Sequence, residues 1–481
     1  MKEIILLFIL LAGTVGTKGQ EPMSLEDCRR LAIENNKKLK IADEQIKSAE
    51  LKKKEAFTKY LPGIDAMGTY LRNQKEINLL AEDAHLPVGT IRQDGKWTLR
   101  PDQIMVGGDG KPVMNNGQYV PKDYALLPKD AMTVDDRNTA VLQVGLTQPI
   151  YMGGKIRAYN QLAGLSEKLA QSGREQELQN LIQETDEAYW QVISLVNRQK
   201  LAEKYVQTLK KFMHDIEVMY ETGMSVKADV LSVKVKLNQA EMTLLRVEDG
   251  LSLSRMALNQ ICGLPVDTVY SLKEEILDTL AINESQTMNL EQIYFNRPEV
   301  ESLTIATDIY RKKEKIARSA YLPTVAFMAN YFAMTPSFFN GISTKLDGMW
   351  SVGIGVKAPV FHWGASRKSV RSARAETNLM NYKLQEAKEK IELQVSQAQF
   401  KIKEAVRKMA VAETNQIKAD ENLKYANLGF QEGTIPVSNV LEAQTAWLSA
   451  HSDVIDSQIE MKLCEVYLKK AYGVLGKSVA E

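Results

Sequence analysis

Few residues of this chain could do covalent, metal or proton chemistry. Its histidines are His85, His214, His362 and His451, and no metal-ligand spacing joins them. Its cysteines are Cys28, Cys262 and Cys464. No nucleophile stands beside a base, and no glycine-rich phosphate loop occurs. Carboxylate pairs such as Glu184 with Glu187 read as the solvated face of a coiled coil. We therefore expect no catalysis, no cofactor and no metal. Lys and Arg total 61 against 60 Asp and Glu, a balance that gives no reason to expect a nucleic-acid partner.

The N-terminus reads as an export signal. Lys2 precedes the apolar run Ile4 to Ala12, and the small-residue stretch Gly13 to Gly19 follows. That is a secretory signal peptide over 1–19, too short for a spanning helix, with cleavage expected near Gly19-Gln20. No cysteine lies there to carry a lipid anchor. An odd cysteine count in an exported protein allows at most one intrachain disulfide. Cys464 continues the seam of the last helix and reads as a small buried residue. The mean hydropathy is -0.26, and no 18-residue apolar run follows the signal, which excludes a helical membrane protein.

What must position any site is a duplication. The stretch Val144 to Gly263, moved 210 positions without a gap, lands on Ile354 to Gly473. Gly145 falls on Gly355, Pro149 on Pro359, Gly154 on Gly364, Gly223 on Gly433 and Val230-Leu231 on Val440-Leu441. The period is too long for a solenoid, so the 481 residues form one elongated body of two halves rather than two or three ordinary domains. Leu25, Cys28, Ala32 and Leu39 begin a helix expected to run to about Lys59, with a counterpart from Leu290 to Ala320. After Tyr60-Leu-Pro and Tyr321-Leu-Pro a shift of 261 overlays Ile64, Ala66, Gly68 and Tyr70 on Val325, Phe327, Ala329 and Tyr331.

Each half then reads helix, strand, strand, long helix, returning helix. The first repeat covers 22–265, with strands at about 60–71 and 141–151 and a helical hairpin over 154–263. A linker covers 266–288. The second repeat covers 289–475, with strands at about 321–332 and 350–361 and a hairpin over 364–473. Proline is expected to end the second strand of each pair. The outgoing helices carry heptad seams: Leu181, Thr185, Ala188, Val192, Leu195 in one, Ile391, Val395, Ala398, Ile402, Ala405 in the other. The first half has 51 extra residues between its strands, a connection over 72–140 rich in turn residues such as Asn115-Asn-Gly, with room for a small extra hairpin.

Four strands are too few to close a barrel, whereas three chains would supply twelve. Leu142, Val144, Leu146 and Val352, Ile354, Val356 alternate with Gln143, Gly145, Thr147 and Gly353, Gly355, Lys357. An apolar outside and a polar or small inside suit lipid and a watery lumen. A soluble sheet with one wet face would alternate in the same way. The signal peptide and the long coils favour the barrel.

From Leu25 to Gly473 the chain resembles the TolC-like outer-membrane efflux proteins. Ser24-Leu-Glu-Asp with Asn35-Asn36, Tyr60-Leu-Pro, Gly145-Leu-Thr-Gln-Pro-Ile-Tyr-Met-Gly-Gly, Tyr220-Glu-Thr-Gly and Phe430-Gln-Glu-Gly with Val440-Leu441 carry the resemblance. It implies a mostly α fold with a transmembrane β part. A homotrimer would form a 12-stranded β-barrel in outer-membrane lipid, continued by a periplasmic α-helical coiled-coil barrel. The 72–140 loop would be extracellular. A periplasmic adaptor and an inner-membrane pump would feed the channel small molecules or proteins. The other class of reading is a periplasmic coiled-coil scaffold or adaptor without a pore, which leaves the two strand pairs unexplained.

The resemblance also implies sites. The hairpin tips, at Gly223, Gly433 and Thr434, would dock the adaptor. In relatives an aspartate of the first hairpin is locked to a tyrosine and an arginine of the second, and acids ring the aperture. Here the aspartate is Asp229, but the tyrosine position holds Phe430 and the arginine position Ile435. One ring position is Asn439, and the other keeps its acid as Glu442. A polar lock is therefore expected to be missing or rebuilt from other residues, and contact among three Ile435 side chains is another means of closure.

Overall fold

The structure is a computed structural model that describes residues 22–273, 289–339, 341 and 343–476. The expected signal peptide, and the expected linker from 274 to 288, lie outside the described residues. The helices are α1 Leu25–Asn35, α2 Lys37–Thr58, α3 Lys155–Glu221, α4 Lys227–Cys262, α5 Leu290–Asn296, α6 Pro298–Ser319, α7 Ala365–Gln431 and α8 Val437–Ala471. The strands of the main sheet are β1 Gly63–Arg72, β2 Asn138–Met152, β3 Thr324–Thr335 and β4 Asp347–Lys357. Two compact units result: a helical one (Met1–Lys54, Ala158–Glu314, Arg367–Glu481) and one holding the sheet (Glu55–Arg157, Lys315–Ser366).

The repeat is visible in the element bounds. α7 begins and ends 210 positions after α3, and α6 begins and ends 261 positions after α2. At 67 residues each, α3 and α7 are about 100 Å long.

The first helix opens on a capping box. The Ser24 hydroxyl accepts from the Asp27 amide at 3.2 Å, and the Asp27 carboxylate accepts from the Ser24 amide at 3.1 Å. The Ser24 hydroxyl, donating to the Asp27 carboxylate at 2.7 Å, then the Ser24 amide and the nearby Arg30 hold that carboxyl below its ordinary range. The periodicity predicts one helix from there to Lys59, and the structure corrects this. Asn36, with ψ 135°, breaks it, and its Oδ1 accepts from the Lys38 amide at 2.8 Å to restart the chain as α2. The counterpart breaks at Arg297, 261 positions on, because Pro298 disfavours helix in the residue before it and then serves as the first helical residue.

The heptad seam predicts one buried stripe on each long helix. α7 buries that one stripe, including Ile391, Val395, Ala398, Ala405 and Met409. α3 buries a second stripe as well, through Ile182, Tyr189, Trp190, Ile193, Tyr205 and Phe212. Tyr189, Trp190 and Ile193 pack with Leu251 and Leu258 of α4 and Ile459 of α8, so α3 packs against both returning helices. At about 1.5–3 kcal/mol for each fully buried large side chain, this stripe makes α3 the axis of the helical unit. By contrast, Phe400, Val411 and Tyr425 of α7 and Leu231, Leu245 and Leu253 of α4 are uncovered.

The sheet runs β1-β2-β3-β4, antiparallel throughout. Pro149 does not end its strand as expected. The register shifts between Pro149 and Tyr151, and β2 continues to Met152, a bulge being where a sheet tolerates proline. β4 instead stops at Lys357, ahead of Pro359. The 72–140 connection is no plain loop and holds more than one extra hairpin. Ile77–Asn78 pairs with Thr133–Val134 and Ala84–Pro87 with Tyr124–Leu127, carrying the β1/β2 pairing outward as a ribbon. Two further hairpins turn at Asp94-Gly95 and Asn116-Gly117, all four residues at positive φ, the signature of two-residue turns. Among the described residues no helix is long and apolar enough to cross a membrane.

Candidate functional site

Residues paired across an antiparallel ladder share a face. Ile64 lies opposite Leu146, Ala66 opposite Val144 and Gly68 opposite Leu142. Val144 in turn lies opposite Tyr331 and Leu146 opposite Ala329. Ala329 meets Val352, Phe327 meets Ile354 and Val325 meets Val356. The register thus gathers Leu142, Val144, Leu146, Val352, Ile354 and Val356 on one face that is apolar across all four strands. Val144 is 46%, Ile354 67% and Trp350 72% exposed among the described residues. The opposite face mixes Asp65, Thr69, Gln143, Thr147, Asn330, Ser351 and Lys357 with several methionines. An apolar patch of this extent needs a partner phase or partner protein.

At the far ends of α3 and α7 the two hairpin turns share one geometry. Gly223 and Gly433 have φ +81 and +72. The Met224 amide bonds back to the Met219 carbonyl at 2.8 Å, and the Thr434 amide to Gly429 at 2.9 Å. These are left-handed caps that satisfy the last carbonyls of each helix. The Thr434 hydroxyl donates to the same Gly429 carbonyl at 2.9 Å. A Cβ at either tip glycine would meet nothing within 4 Å, so both tips present open backbone.

The residues at the lock positions each make a contact of their own. Asp229 sits in the first turn of α4 and accepts from the Ser225 hydroxyl of its own tip at 3.1 Å. Phe430 points into the chain, edge-on to Phe212 with ring centroids 5.3 Å apart. There it closes a core of Ile216, Val230, Val233, Val437 and Val440 that binds the two hairpins side by side. Ile435 folds over Gly429 of its own turn, where a Cβ would come within 2.5 Å of it. Asn439 and Glu442 lie exposed on the first two turns of α8. Sequence reasoning missed Phe212, whose signal was its place on the second stripe of α3. It also set His451 aside. His451 Nδ1 lies 3.0 Å from Gln416 Nε2 and its Nε2 3.1 Å from Asp420 Oδ1, which also accepts from Trp447 Nε1 at 2.6 Å. This network ties α7 to α8 and leaves no open ring nitrogen. Among the described residues no group of three His, Cys, Asp or Glu is placed to hold a metal ion.

A family model described as outer membrane efflux protein matches residues 29–264 and 289–474. The outer membrane protein TolC of Vibrio cholerae serotype O1 is 21% identical over 306 residues, which is 62% of this chain and 69% of that protein. Two solved channels share the fold. The CmeC outer membrane channel of Campylobacter jejuni superposes with a TM-score of 0.71 at 16% identity, over 94% of this chain and 85% of its own. The outer membrane protein VceC of Vibrio cholerae does so with a TM-score of 0.69 at 15% identity, over 93% and 96%. The two matched segments coincide with the two structural repeats, and their members are channels rather than enzymes. This chain belongs to the outer membrane efflux protein family, as the outer-membrane channel of a tripartite efflux system that extends into the periplasm.

Proposed function

We propose that three copies of this chain join β1 of one to β4 of the next and close a twelve-stranded barrel around a passive, non-catalytic conduit. One observation carries this reading: among the described residues the two edge strands of a four-stranded sheet are unpaired while the face between them is apolar and bare. A heterologous contact of this kind closes a ring, and a closed barrel is the β structure that lipid tolerates. The uncovered stripes on α4 and α7 support the same assembly. The apolar face then meets lipid. Val144→Arg or Ile354→Arg should cost about 2–4 kcal/mol near the midplane, whereas Gln143→Arg should be mild. The measurement is the heat-labile trimer band in outer-membrane extracts. Equal tolerance of arginine at all three positions would falsify the register.

The tips are the proposed docking points for a periplasmic adaptor, itself fed by an inner-membrane pump that supplies small molecules or proteins. Gly223, Gly433 and Thr434 support this by offering backbone without side-chain cover. Gly433→Trp should abolish efflux while leaving trimer and surface levels intact. Loss of the trimer instead would make the glycine a cap only. At the aperture, Asp229 is bonded within its own tip and Ile435 folded against its own turn, which leaves Glu442 to set the field. Three Glu442 carboxylates would favour cations, less so at high salt. In planar bilayers Glu442→Gln should weaken cation preference and Asp229→Ala should change conductance little. Unchanged selectivity in the first, or a large conductance rise in the second, would sink this assignment.

A further inference from the structure

Cys28 on α1 and Cys262, the last residue of α4, are each 0% exposed and belong to one core cluster. They are two of the three cysteines in the chain. The Cys262 Sγ lies 3.6 Å from the Cys28 carbonyl oxygen, and the Cys28 Sγ lies 3.3 Å from the Met23 Sδ. Both stand as thiols in the structure. A buried cysteine by itself is a small apolar residue. Two that meet across a helix junction, in a protein that works outside the reducing cytosol, are different. The second half has Asn289 and Tyr472 at the corresponding positions, so the duplication alone does not require a sulfur at either place.

We propose that Cys28 and Cys262 are joined by a disulfide in the exported protein, stapling the N-terminal helix to the end of the first hairpin. One of the two thiolates displaces a thiolate from an external disulfide, R–S–S–R, as the chain folds and before the core closes. The other thiolate then displaces the second. One S–S bond forms in the protein and one breaks in the oxidant. The two thiol protons pass to the two RS⁻ leaving groups. The bridge closes a 234-residue span, long enough to restrict the unfolded chain strongly. Cys464, alone on α8, stays a thiol.

The experiment is alkylation of the full-length protein, denatured without reductant at the moment of lysis, followed by digestion and mass spectrometry. One labelled cysteine before reduction and three after it are expected, with the Cys28 and Cys262 peptides joined. In Cys464→Ser, no cysteine should be labelled until reductant is added. Three labelled thiols in the unreduced protein, a link that includes Cys464, or labelling of unreduced Cys464→Ser would each overturn the proposal.

Discussion

Each half of the molecule docks its N-terminal helix onto the end of its returning helix, and the two junctions solve one problem with different chemistry. In the first, α1 ends at Asn35 beside Gly263, which follows α4. In the second, α5 ends at Asn296 beside Gly473, which follows α8. Both glycines are left-handed, at φ +72 and +70. A Cβ on Gly473 would fall 2.7 Å from the Asn296 carbonyl oxygen, and one on Gly263 would overlap the Asn35 side chain. The next residue caps the returning helix in both. Asn36 donates to the Ile261 carbonyl at 3.3 Å, and Arg297 donates to Lys470 and Ala471 at 2.9 and 3.3 Å. The second cap adds a positive charge at a helix C-terminus, where the helix dipole favours it.

The first junction puts its charge elsewhere. Arg29 of α1 clamps Asp186 of α3 with two bonds, at 2.7 and 2.6 Å. Burial pushes the Asp186 carboxyl up, against the pull of Arg29. The corresponding residues of the second half are Leu290, packed into its core, and Ser396, exposed on α7. What the halves share is backbone geometry. What differs follows burial, because α3 is enclosed by neighbours of its own chain and α7 is not.

The largest expected effect tests that asymmetry. Asp186→Ala removes the buried half of the Arg29–Asp186 pair and should cost about 3–5 kcal/mol, read as a fall in the apparent melting midpoint of the detergent-extracted protein. Ser396→Ala should stay within about 0.5 kcal/mol of the parent. Similar losses for both would show that the halves are buried alike.

How much of this was legible in the sequence depends on the kind of contact. The glycines, the hairpins and the strand faces were readable because duplication prints each of them twice. The break at Arg297 was signalled by Pro298. The break at Asn36 was not, since an asparagine between two helical stretches has no single meaning without its Lys38 bond. The second stripe of α3 escaped because a heptad template selects one seam per helix, and a helix packed against two neighbours has two. The turn of Phe430 toward Phe212 lay beyond reach, since it joins hairpins more than 200 residues apart.

A smaller effect tests the shared part. Gly263→Ala and Gly473→Ala should each cost about 1–2 kcal/mol for the left-handed backbone plus the displacement of Asn35 or Asn296. Both should lower the midpoint by similar amounts. A neutral result at one glycine alone would mean that its junction opens without cost.

The smallest effect tests the surface of the first junction. Lys38 meets Glu184 at 2.7 Å with both side chains about half exposed. Lys38→Ala should change stability by no more than about 1 kcal/mol, and the difference should vanish in high salt. A larger, salt-insensitive loss would place this pair with Arg29 and Asp186 in the core.

The repeat also has a consequence for symmetry. Three chains of two hairpins would present six tips in a ring, alternating Gly223-Met-Ser-Val with Gly433-Thr-Ile-Pro. Their backbones, with the same cap and nearly the same φ, would follow a six-fold pattern, while their side chains would follow a three-fold one. A partner that grips the main chain would count six equivalent positions and one that reads side chains would count three, so the stoichiometry of the bound partner would report which of the two it does.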